Sequence, residues 1–319
     1  MKKIRLGIIG CGRIVQNCHI PAIANNDNIE LVAVCDVNSS LAQTFALEHH
    51  IGRVYAGGEE LCSAKDVDAV LICLPHHLHK QAVVAAAKAG KHLLVEKPLA
   101  NTMRECDEII SEVEKAGVTL MVGHVMRFSS DFQKIRNAVK SGDIGKPISI
   151  RARRLTYHEK AATDWWKSRN MCGGLVTSLV GSHIFDSILW IFDAIPKKVF
   201  ALGRTLRPHL WEGEDEADIL IELSNNTTAL ISLSFNCKLT TNDILIVGDR
   251  DSLYTKDEDL VVEQQKNSIN EKFGLQIKEF VSAVLENRPP LVDGKQAQRV
   301  VAIIEAVNKS ISTGKVIEL

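Results

Sequence analysis

Residues 4–16 read IRLGIIGCGRIVQ, an apolar run that leads directly into a glycine-rich turn. The isoleucine-rich first part predicts a buried strand over Ile4–Ile9. Gly10 then permits a tight turn, and Gly12 lets backbone amides approach a pyrophosphate at the N-terminus of the helix after the turn. A strand, a glycine turn and a helix in this order predict the start of a dinucleotide-binding α/β domain.

The turn departs from the usual three-glycine pattern at one position, because Val15 stands where the third glycine is expected. That position sets the packing of the helix against the strand. We therefore expect the departure to affect packing more than phosphate binding. Arg13 and Ile14, in the same turn, are further candidates for contact with the cofactor. On this motif alone, a glycine turn in an unrelated α/β domain is an open alternative.

The next strand carries the second half of the motif. Leu31–Cys35 predicts a strand, and Asp36 follows it 24 residues after Gly12, close to the spacing of roughly 20 typical of a ribose-binding acid. A carboxylate there accepts both hydroxyls of the adenine ribose and repels a 2′-phosphate, and neither Val37 nor Asn38 supplies a compensating cation. The pattern favours NAD(H) over NADP(H). A carboxylate that only closes a strand-end turn is the alternative.

The overall composition is that of a soluble globular protein. The chain has 319 residues, 45% hydrophobic and 24% charged, and is long enough for two domains. A net charge of -1 gives no global attraction to nucleic acid or to an anionic membrane. No apolar stretch reaches the roughly 18 residues of a membrane span, and the short basic N-terminus predicts a strand rather than a signal peptide. Eight scattered cysteines without a Cys-x-x-Cys pair indicate reduced thiols and a cytoplasmic location.

The pattern of apolar residues divides the chain into two parts. Short β-branched runs alternate with helical patterns up to about residue 122, which predicts βαβ units and a parallel sheet. Longer strand patterns come after this point, with one apolar helix at roughly Leu175–Phe192, a hairpin turn at Asn225-Asn226 and two closing helices. The sequence predicts an α/β Rossmann N-terminal domain over 1–122. It also predicts an α+β C-terminal domain over 123–319 with a large open, mainly antiparallel sheet, whose last helix is free to pack back on the first domain.

Several motifs, taken in order along the chain, point to one family. They are GIIGCGRI at 7–14, the strand end at Asp36, Pro75 with His79, AGKHLLVEKPLA over Ala89–Ala100, VGHVMRF over Val122–Phe128, GSHIFD over Gly181–Asp186, and ENRPPLVDGKQAQRVVAIIEAVNKSISTGK at 286–315. The sequence resembles the glucose–fructose oxidoreductase / inositol dehydrogenase / rhizopine-catabolism (Gfo/Idh/MocA) oxidoreductase family over nearly its whole length. Glu96-Lys97-Pro98 at a strand end is the most specific part of the resemblance.

The resemblance implies a role for Lys97, which would lie near the nicotinamide and hydrogen-bond the reacting oxygen. An ammonium beside a cationic nicotinamide ring should have a lowered pKa, because like charges disfavour each other. Pro98 restricts Lys97 to extended geometry and so fixes the direction of its side chain. A lysine that only reaches into solvent from a strand end is the alternative.

The resemblance also implies that His183 faces the nicotinamide as general acid/base, a role that suits the ordinary pKa of histidine. A core histidine hydrogen-bonded to Asp186 is the alternative. Many relatives carry Asp or Asn four residues before this histidine, where this chain has Leu179 beside Ser178, and the spacing from Gly173-Gly174 is about one residue longer. A carboxylate partner for His183 therefore comes from elsewhere, with Asp186 as a candidate, or is absent. Either case puts the proton relay from Lys through Asp to His, usual in the family, in doubt.

The other site candidates come from the same resemblance. On the cofactor side they are Leu74, Pro75, His76, His79 and Glu96. On the substrate side they are Arg127, Tyr157, Trp166 and Asp186, since tryptophan stacks on sugar rings and arginine can bind a carboxylate or phosphate. Trp165 and Trp166 could equally anchor a loop. The His76-His77-x-His79 spacing is poor for zinc, no Cys or acid cluster accompanies it, and we predict no metal.

These residues predict an NAD(H)-dependent oxidoreductase that transfers hydride to or from a hydroxyl or keto carbon of a sugar, a sugar derivative or an inositol. Two other functions known in the family stay open: an NAD-dependent glycoside hydrolase and a non-catalytic, cofactor-sensing regulator. Retention of Lys97 and His183 argues against the regulator. Apolar positions such as Leu230, Leu233 and Phe235 on an exposed sheet predict a homodimer or homotetramer. The acidic run at 257–259 predicts a solvated turn.

Overall fold

The computed structural model describes residues 3–256 and 265–319, so the acidic run at 257–259 lies outside it. The described residues form two compact units, and each unit has its own sheet. The first unit contains the residues up to Ala100, Arg104–Val125 and Lys266–Gln298. The second unit contains Asn101–Met103, the described part of Met126–Gln265, and Arg299–Leu319.

The sheet of the first unit consists of six strands that pair only in parallel. They are β1 (Ile4–Ile9), β2 (Ile29–Cys35), β3 (Arg53–Tyr55), β4 (Ala69–Ile72), β5 (His92–Val95) and β6 (Leu120–Val122). Their order is β3-β2-β1-β4-β5-β6, the Rossmann order. The order reverses between β1 and β4, where ligands bind in open α/β sheets. The predicted Rossmann fold is confirmed.

Helices connect the strands of both units. In chain order they are α1 (Ile20–Ala24), α2 (Ser39–Glu48), α3 (Gly58–Ser63), α4 (His79–Lys88), α5 (Met103–Ala116), α6 (Ser130–Ser141), α7 (Arg169–Cys172), α8 (Ser182–Phe192), α9 (Gln265–Leu285) and α10 (Gly294–Thr313). The sequence pattern did not predict β3 or α3, because each is short and neither has a clear apolar period.

A π-helical turn, Val15–His19, separates the glycine turn from α1. The amide of Ile20 donates to the carbonyl of Val15, five residues back instead of four. Pro21 comes next, and because it lacks an amide hydrogen and clashes with the carbonyl four residues earlier, the wider turn accommodates it. Val15 and His19 are both fully buried. Burial of Val15 agrees with the predicted packing role of this position.

The second unit has a mixed, mostly antiparallel sheet, as predicted. Its strands are β7 (Pro147–Tyr157), β8 (Pro196–Arg204), β9 (Glu216–Leu223), β10 (Thr228–Ser234), β11 (Asn236–Gly248), β12 (Ser252–Lys256) and β13 (Ile317–Glu318). They lie in the order β12-β11-β7-β10-β9-β8-β13, and only the central pair of β7 with β10 is parallel. The turn between β9 and β10 contains Asn226 with a φ of 63°, as expected for the predicted hairpin.

One face of this sheet packs against α8, whose residues from Ile184 to Phe192 are all buried in the core of the second unit. The longer helical segment Arg169–Phe192 is apolar and long enough to cross a membrane by length and composition, although 89% of its most apolar window is buried inside the fold. By this measure, the sequence expectation that no apolar stretch reaches the length of a membrane span is wrong. The burial of this segment is what a core helix requires.

The other face of the sheet is exposed, and one sequence expectation about it is wrong. Leu230 is 46% exposed and lies opposite Leu220 on β9, which is 44% exposed. Leu233 and Phe235 are instead buried in the core. Leu230 and Leu233 are an odd number of residues apart, and side chains alternate along a strand, so the two leucines must point to opposite faces.

The buried Val15 gives a test of the packing at the glycine turn. Replacing Val15 with Ala removes two buried methyl groups and should lower the free energy of unfolding by about 1.5–3 kcal/mol. Urea unfolding followed by circular dichroism measures the change. The neighbouring Ile14→Ala is the matched control, because Ile14 is 39% exposed and should lose much less. Equal losses in the two variants would contradict the packing role of Val15.

Candidate active site

The glycine turn lies at the carboxyl end of β1. Its two glycines have different roles. Gly10 has a φ of 95°, and a Cβ on it would collide with the carbonyl oxygen of Cys73, so the fold itself requires glycine there. Gly12 has no heavy atom within 4 Å of the place where its Cβ would be. The fold does not require glycine at this second position. The open space beside Gly12 fits the close approach of a pyrophosphate to the backbone.

Asp36 follows β2 at the same edge of the sheet, where backbone amides fix its carboxylate. The amide of Cys11 donates to Oδ2 at 2.8 Å, and the amide of Asn38 donates to Oδ1 at 2.9 Å. A carboxylate has about four acceptor sites, so each oxygen keeps capacity for a further donor such as a ribose hydroxyl. The glycine turn and the acid therefore meet as the sequence pattern requires. Together they fit a dinucleotide.

The other cofactor candidates in the turns differ in exposure. Arg13 and Ile14 lie at the surface of the turn. Leu74 and Pro75, after β4, are half-buried, whereas His76 is only 5% exposed. These five residues belong to the turns after β1 and β4, the two strands at which the strand order reverses.

His79 is fully buried at the start of α4, and both of its ring nitrogens contact carbonyl oxygens. Nδ1 lies 2.8 Å from the oxygen of Pro98, and Nε2 lies 2.8 Å from the oxygen of Leu74. Burial lowers the pKa of His79 more than the two carbonyls raise it. Neither nitrogen is available to a metal ion or to a cofactor.

Glu96 lies directly after β5, and its side chain is 13% exposed. His19 Nε2 lies 2.8 Å from Glu96 Oε1, and the amide of Lys97 donates to Oε2 at 3.2 Å. Burial raises the pKa of this carboxyl, but the hydrogen bond from His19 and the charge of Lys97 outweigh it, so the pKa lies below its ordinary value. Glu96 is therefore ionised at neutral pH, and because an ionised carboxylate only accepts, His19 Nε2 carries the proton.

Lys97 is half-buried, and a cis peptide bond joins it to Pro98. Its backbone stands at the same sheet edge as Gly10 and Asp36, because β5 is parallel to β1 and β2. Gly123 follows β6, and a Cβ on it would press on the Glu96 carboxyl at 3.2–3.3 Å. The absence of a side chain at 123 leaves room for the Glu96 carboxylate.

In the second unit, His183 is half-buried in the first turn of α8. A π-helical turn, Thr177–Gly181, directly precedes this helix. Such a turn inserts one residue into an α-helix, as the longer predicted spacing between Gly173-Gly174 and His183 would require. Leu179 is 6% exposed and belongs to the core.

Arg127 and Asp186, both predicted to face substrate, form a buried ion pair with each other. Arg127 Nη2 lies 2.6 Å from Asp186 Oδ1, and Nε lies 2.9 Å from Oδ2. Their side chains are 4% and 1% exposed. The pair fastens the backbone around Arg127 to α8, the helix that carries His183. Their contact with substrate stays a prediction.

The aromatic candidates lie in a cluster near the end of β7. Trp166 stacks on Phe235 with ring centroids 6.1 Å apart, and the ring of His158 contacts both, with centroids 5.6 Å from Trp166 and 4.4 Å from Phe235. Tyr157 is 44% exposed, and the guanidinium of Arg207 lies 5.3 Å from its ring. Trp166 is therefore part of the packing of its loop, whereas Tyr157 is partly exposed. Sugar stacking by either residue stays a prediction.

His19 is the residue that sequence reasoning missed. It lies 77 positions from Glu96, and no spacing rule connects a histidine behind a glycine turn with an acid after a later strand. The only sequence signal was Pro21, which breaks regular helix geometry two residues after His19. The pairing depends on the turn Val15–His19, which directs the ring towards the end of β5.

The fold and the glycine turn define a dinucleotide-binding domain, and comparisons with known proteins identify its family as one of NAD-binding oxidoreductases. The pattern described as the oxidoreductase family with an NAD-binding Rossmann fold (GFO_IDH_MocA) matches residues 4–124. The GFO/IDH/MocA C-terminal domain matches residues 132–254. The chain belongs to the GFO/IDH/MocA oxidoreductase family, and the resemblance drawn from the motifs is confirmed.

Individual relatives support the same assignment. The chain is 33% identical over 236 residues to the uncharacterized oxidoreductase YrbE of Bacillus subtilis, which covers 73% of this chain and 67% of that protein. It is 27% identical over 342 residues to a myo-inositol 2-dehydrogenase of Thermotoga maritima, which covers 99% and 98%. The crystal structure of a probable dehydrogenase from Thermotoga maritima superposes with a TM-score of 0.87 at 25% identity, covering 99% and 98% of the two chains.

The buried ion pair of the second unit is open to a direct test. Arg127→Met removes the guanidinium from the buried Asp186 carboxylate and should lower the free energy of unfolding by about 3–5 kcal/mol. Removing both charges, as in Arg127→Met with Asp186→Leu, should recover most of the loss, because the buried carboxylate is then gone as well. Thermal and urea unfolding measure both variants. A double variant no more stable than the single one would contradict the pairing.

Proposed function

We propose that the protein is an NAD(H)-dependent dehydrogenase or reductase that acts on a hydroxyl or keto carbon of a sugar, a sugar derivative or an inositol. The observation that carries the proposal is the arrangement at one sheet edge: an open glycine turn, an acid held for a ribose, and Lys97 after β5. Relatives named for such substrates include the myo-inositol 2-dehydrogenase and a 1,5-anhydro-D-fructose reductase of Ensifer adhaerens, 31% identical over 201 residues.

The first domain, 1–122, would bind the cofactor, and the second, 123–319, would bind substrate. The turn at Gly10–Ile14 would hold the pyrophosphate, and the carboxylate of Asp36 would accept hydrogen bonds from the ribose hydroxyls. NAD would be preferred over NADP, because the Asp36 carboxylate repels a 2′-phosphate. The turns at Leu74–His76 and at Glu96 would form the rest of the cofactor surface. When bound, NAD would supply the hydride acceptor or donor. Arg127, Tyr157, Trp166 and Asp186 would shape the substrate side, directly or through the buried ion pair.

Lys97 would donate a hydrogen bond to the reacting oxygen, and His183 would take or return its proton. A positioned donor stabilises an alkoxide only if its place is fixed before the reaction. A histidine suits the second role because its ordinary pKa lies near neutral pH. Leu179 stands where many relatives carry the acid before His183, so the proton would pass without that carboxylate.

The exposed face of the second sheet would form a homodimer or homotetramer interface. Leu202, Leu220 and Leu230 are 62%, 44% and 46% exposed on β8, β9 and β10. Such a run of apolar side chains on one sheet face is typical of a subunit contact. A reducing compartment such as the cytoplasm would suit the chain, because none of the eight cysteines, all within the described residues, forms a disulfide.

The two glycines separate folding from cofactor binding. Gly12→Ala meets open space in the protein and should leave the melting temperature unchanged, but it should weaken NAD binding at least tenfold, because the methyl group occupies the approach of the pyrophosphate. Gly10→Ala should lower the melting temperature, because it collides with Cys73 and strains a φ of 95°. Differential scanning fluorimetry and NAD titration by calorimetry measure the two effects. Unchanged NAD affinity in Gly12→Ala would place the cofactor elsewhere.

The activity itself is tested by mixing the full chain with NAD or NADP and a panel of sugars and inositols, with absorbance of the reduced cofactor as readout. Turnover with NAD is expected for at least one member, and Lys97→Met should reduce kcat/KM about 100-fold or more while NAD affinity changes little. Sugar release without net reduced cofactor would favour a glycoside hydrolase. NAD binding without turnover, unaffected by Lys97→Met, would favour a regulator, and preference for NADP would refute the role of Asp36.

A further inference from the structure

Two buried histidines of the first unit hold the residues on either side of Lys97. His19, at the end of the π-helical turn, contacts the carboxylate of Glu96 at 2.8 Å. His79, at the start of α4, contacts the carbonyl of Pro98 at 2.8 Å. Both histidines have no exposed surface. The segment Glu96–Pro98 is therefore fixed from both sides by side chains of two other elements.

The contact of His19 fixes the carboxylate of Glu96. One oxygen accepts from His19, and the other accepts from the amide of Lys97 at 3.2 Å. Gly123 leaves the space that the carboxylate occupies, since a side chain there would press on the carboxyl. The carboxylate cannot turn without losing both hydrogen bonds, and in its buried place such a loss is expensive. Its negative charge is thereby held at a constant position next to Lys97.

The ring of His19 is itself packed against a buried aromatic side chain. It meets the ring of Phe273 edge-on, with centroids 4.9 Å apart, and Phe273 is 7% exposed on α9. The turn Val15–His19 continues from the glycine turn, so the element that would bind the pyrophosphate also carries the donor to Glu96. The glycine turn and the Lys97 segment are thus joined by one hydrogen bond.

We propose that His19 and His79 are positioning residues for Lys97, and that His19 acts through the Glu96 carboxylate. The proposal rests on the proposed function, in which Lys97 binds the reacting oxygen. His19 would keep the carboxylate in place, and the carboxylate would favour the charged, hydrogen-bond-donating form of the Lys97 amine. His79 would fix the backbone on the far side of Lys97. A donor held in this way costs no reorganisation when charge develops on the substrate oxygen.

The experiment compares two amide substitutions of His19 in the full chain. Gln is long enough to place an N–H near the position of Nε2, whereas Asn has the same chemistry and falls one methylene short. His19→Gln should keep kcat within threefold of wild type. His19→Asn should lower kcat at least tenfold and change the KM of the polyol less than threefold. His92→Asn is the control, since it alters a partly buried histidine at the opposite end of β5 and keeps an acceptor for the Thr119 amide.

A second readout needs no substrate. Competitive acetylation with acetic anhydride at pH 8, read by mass spectrometry, compares the reactivity of Lys97 with that of Lys134, whose side chain is 77% exposed. In His19→Asn the relative labelling of Lys97 should rise at least threefold, because the amine loses the fixed carboxylate that favours its unreactive charged form. His19→Gln and His92→Asn should stay within 1.5-fold of wild type. If His19→Asn melts below the assay temperature, His19→Leu repeats the comparison.

The outcomes separate this proposal from the proposed function. Equal losses in the Gln and Asn variants, or unchanged labelling of Lys97 in His19→Asn, overturn the positioning role. If no panel member is turned over by the wild type, but labelling rises in His19→Asn and not in His19→Gln, the polyol activity fails and the positioning of Lys97 stands. Loss of kcat in His92→Asn would show a general effect of histidine removal and also overturn the proposal.

Discussion

The parallel pairing of β1, β2, β4, β5 and β6 is the constraint on which the cofactor side of the protein depends. Parallel strands end at one edge, so the residues directly after them meet there although they are far apart in sequence. Gly10 follows β1, Asp36 follows β2, and Glu96 follows β5. No residue of the glycine turn could reach Asp36 or Glu96 if one of these strands ran the other way.

Each of three candidate-site acids, two in the first unit and one in the second, has its own partner. Amides of Cys11 and Asn38 hold Asp36, His19 holds Glu96, and Arg127 holds Asp186. The partners differ in what they leave available. Asp36 keeps acceptor capacity for a ligand, whereas the two oxygens of Asp186 are bound to one guanidinium. The ion pair of Arg127 with Asp186 joins the backbone around Arg127 to the helix of His183, and contact of either residue with substrate stays a prediction.

Each unit contains a π-helical turn next to one of its candidate-site histidines. One ends at His19, and the other ends two residues before His183. Each adds a residue to a helical turn and so rotates the later residues of its helix by a fraction of a turn. The first rotation brings His19 to Glu96. The second turn directly precedes the helix that carries His183.

The sequence by itself determined the features that depend on short windows. Gly10 needs a positive φ, β-branched runs alternate with helical patterns, and Asp36 closes the second strand, so the Rossmann domain and the dinucleotide motif could be read from neighbouring residues. Only the tertiary structure decided the pairings of His19 with Glu96 and of Arg127 with Asp186, which span 77 and 59 positions. It also decided that Leu233 and Phe235 point into the core, away from the exposed face of Leu230. The physical reason is that local preferences fix the period and the turns of a chain, whereas the partner of a buried charge depends on which elements the whole fold brings together.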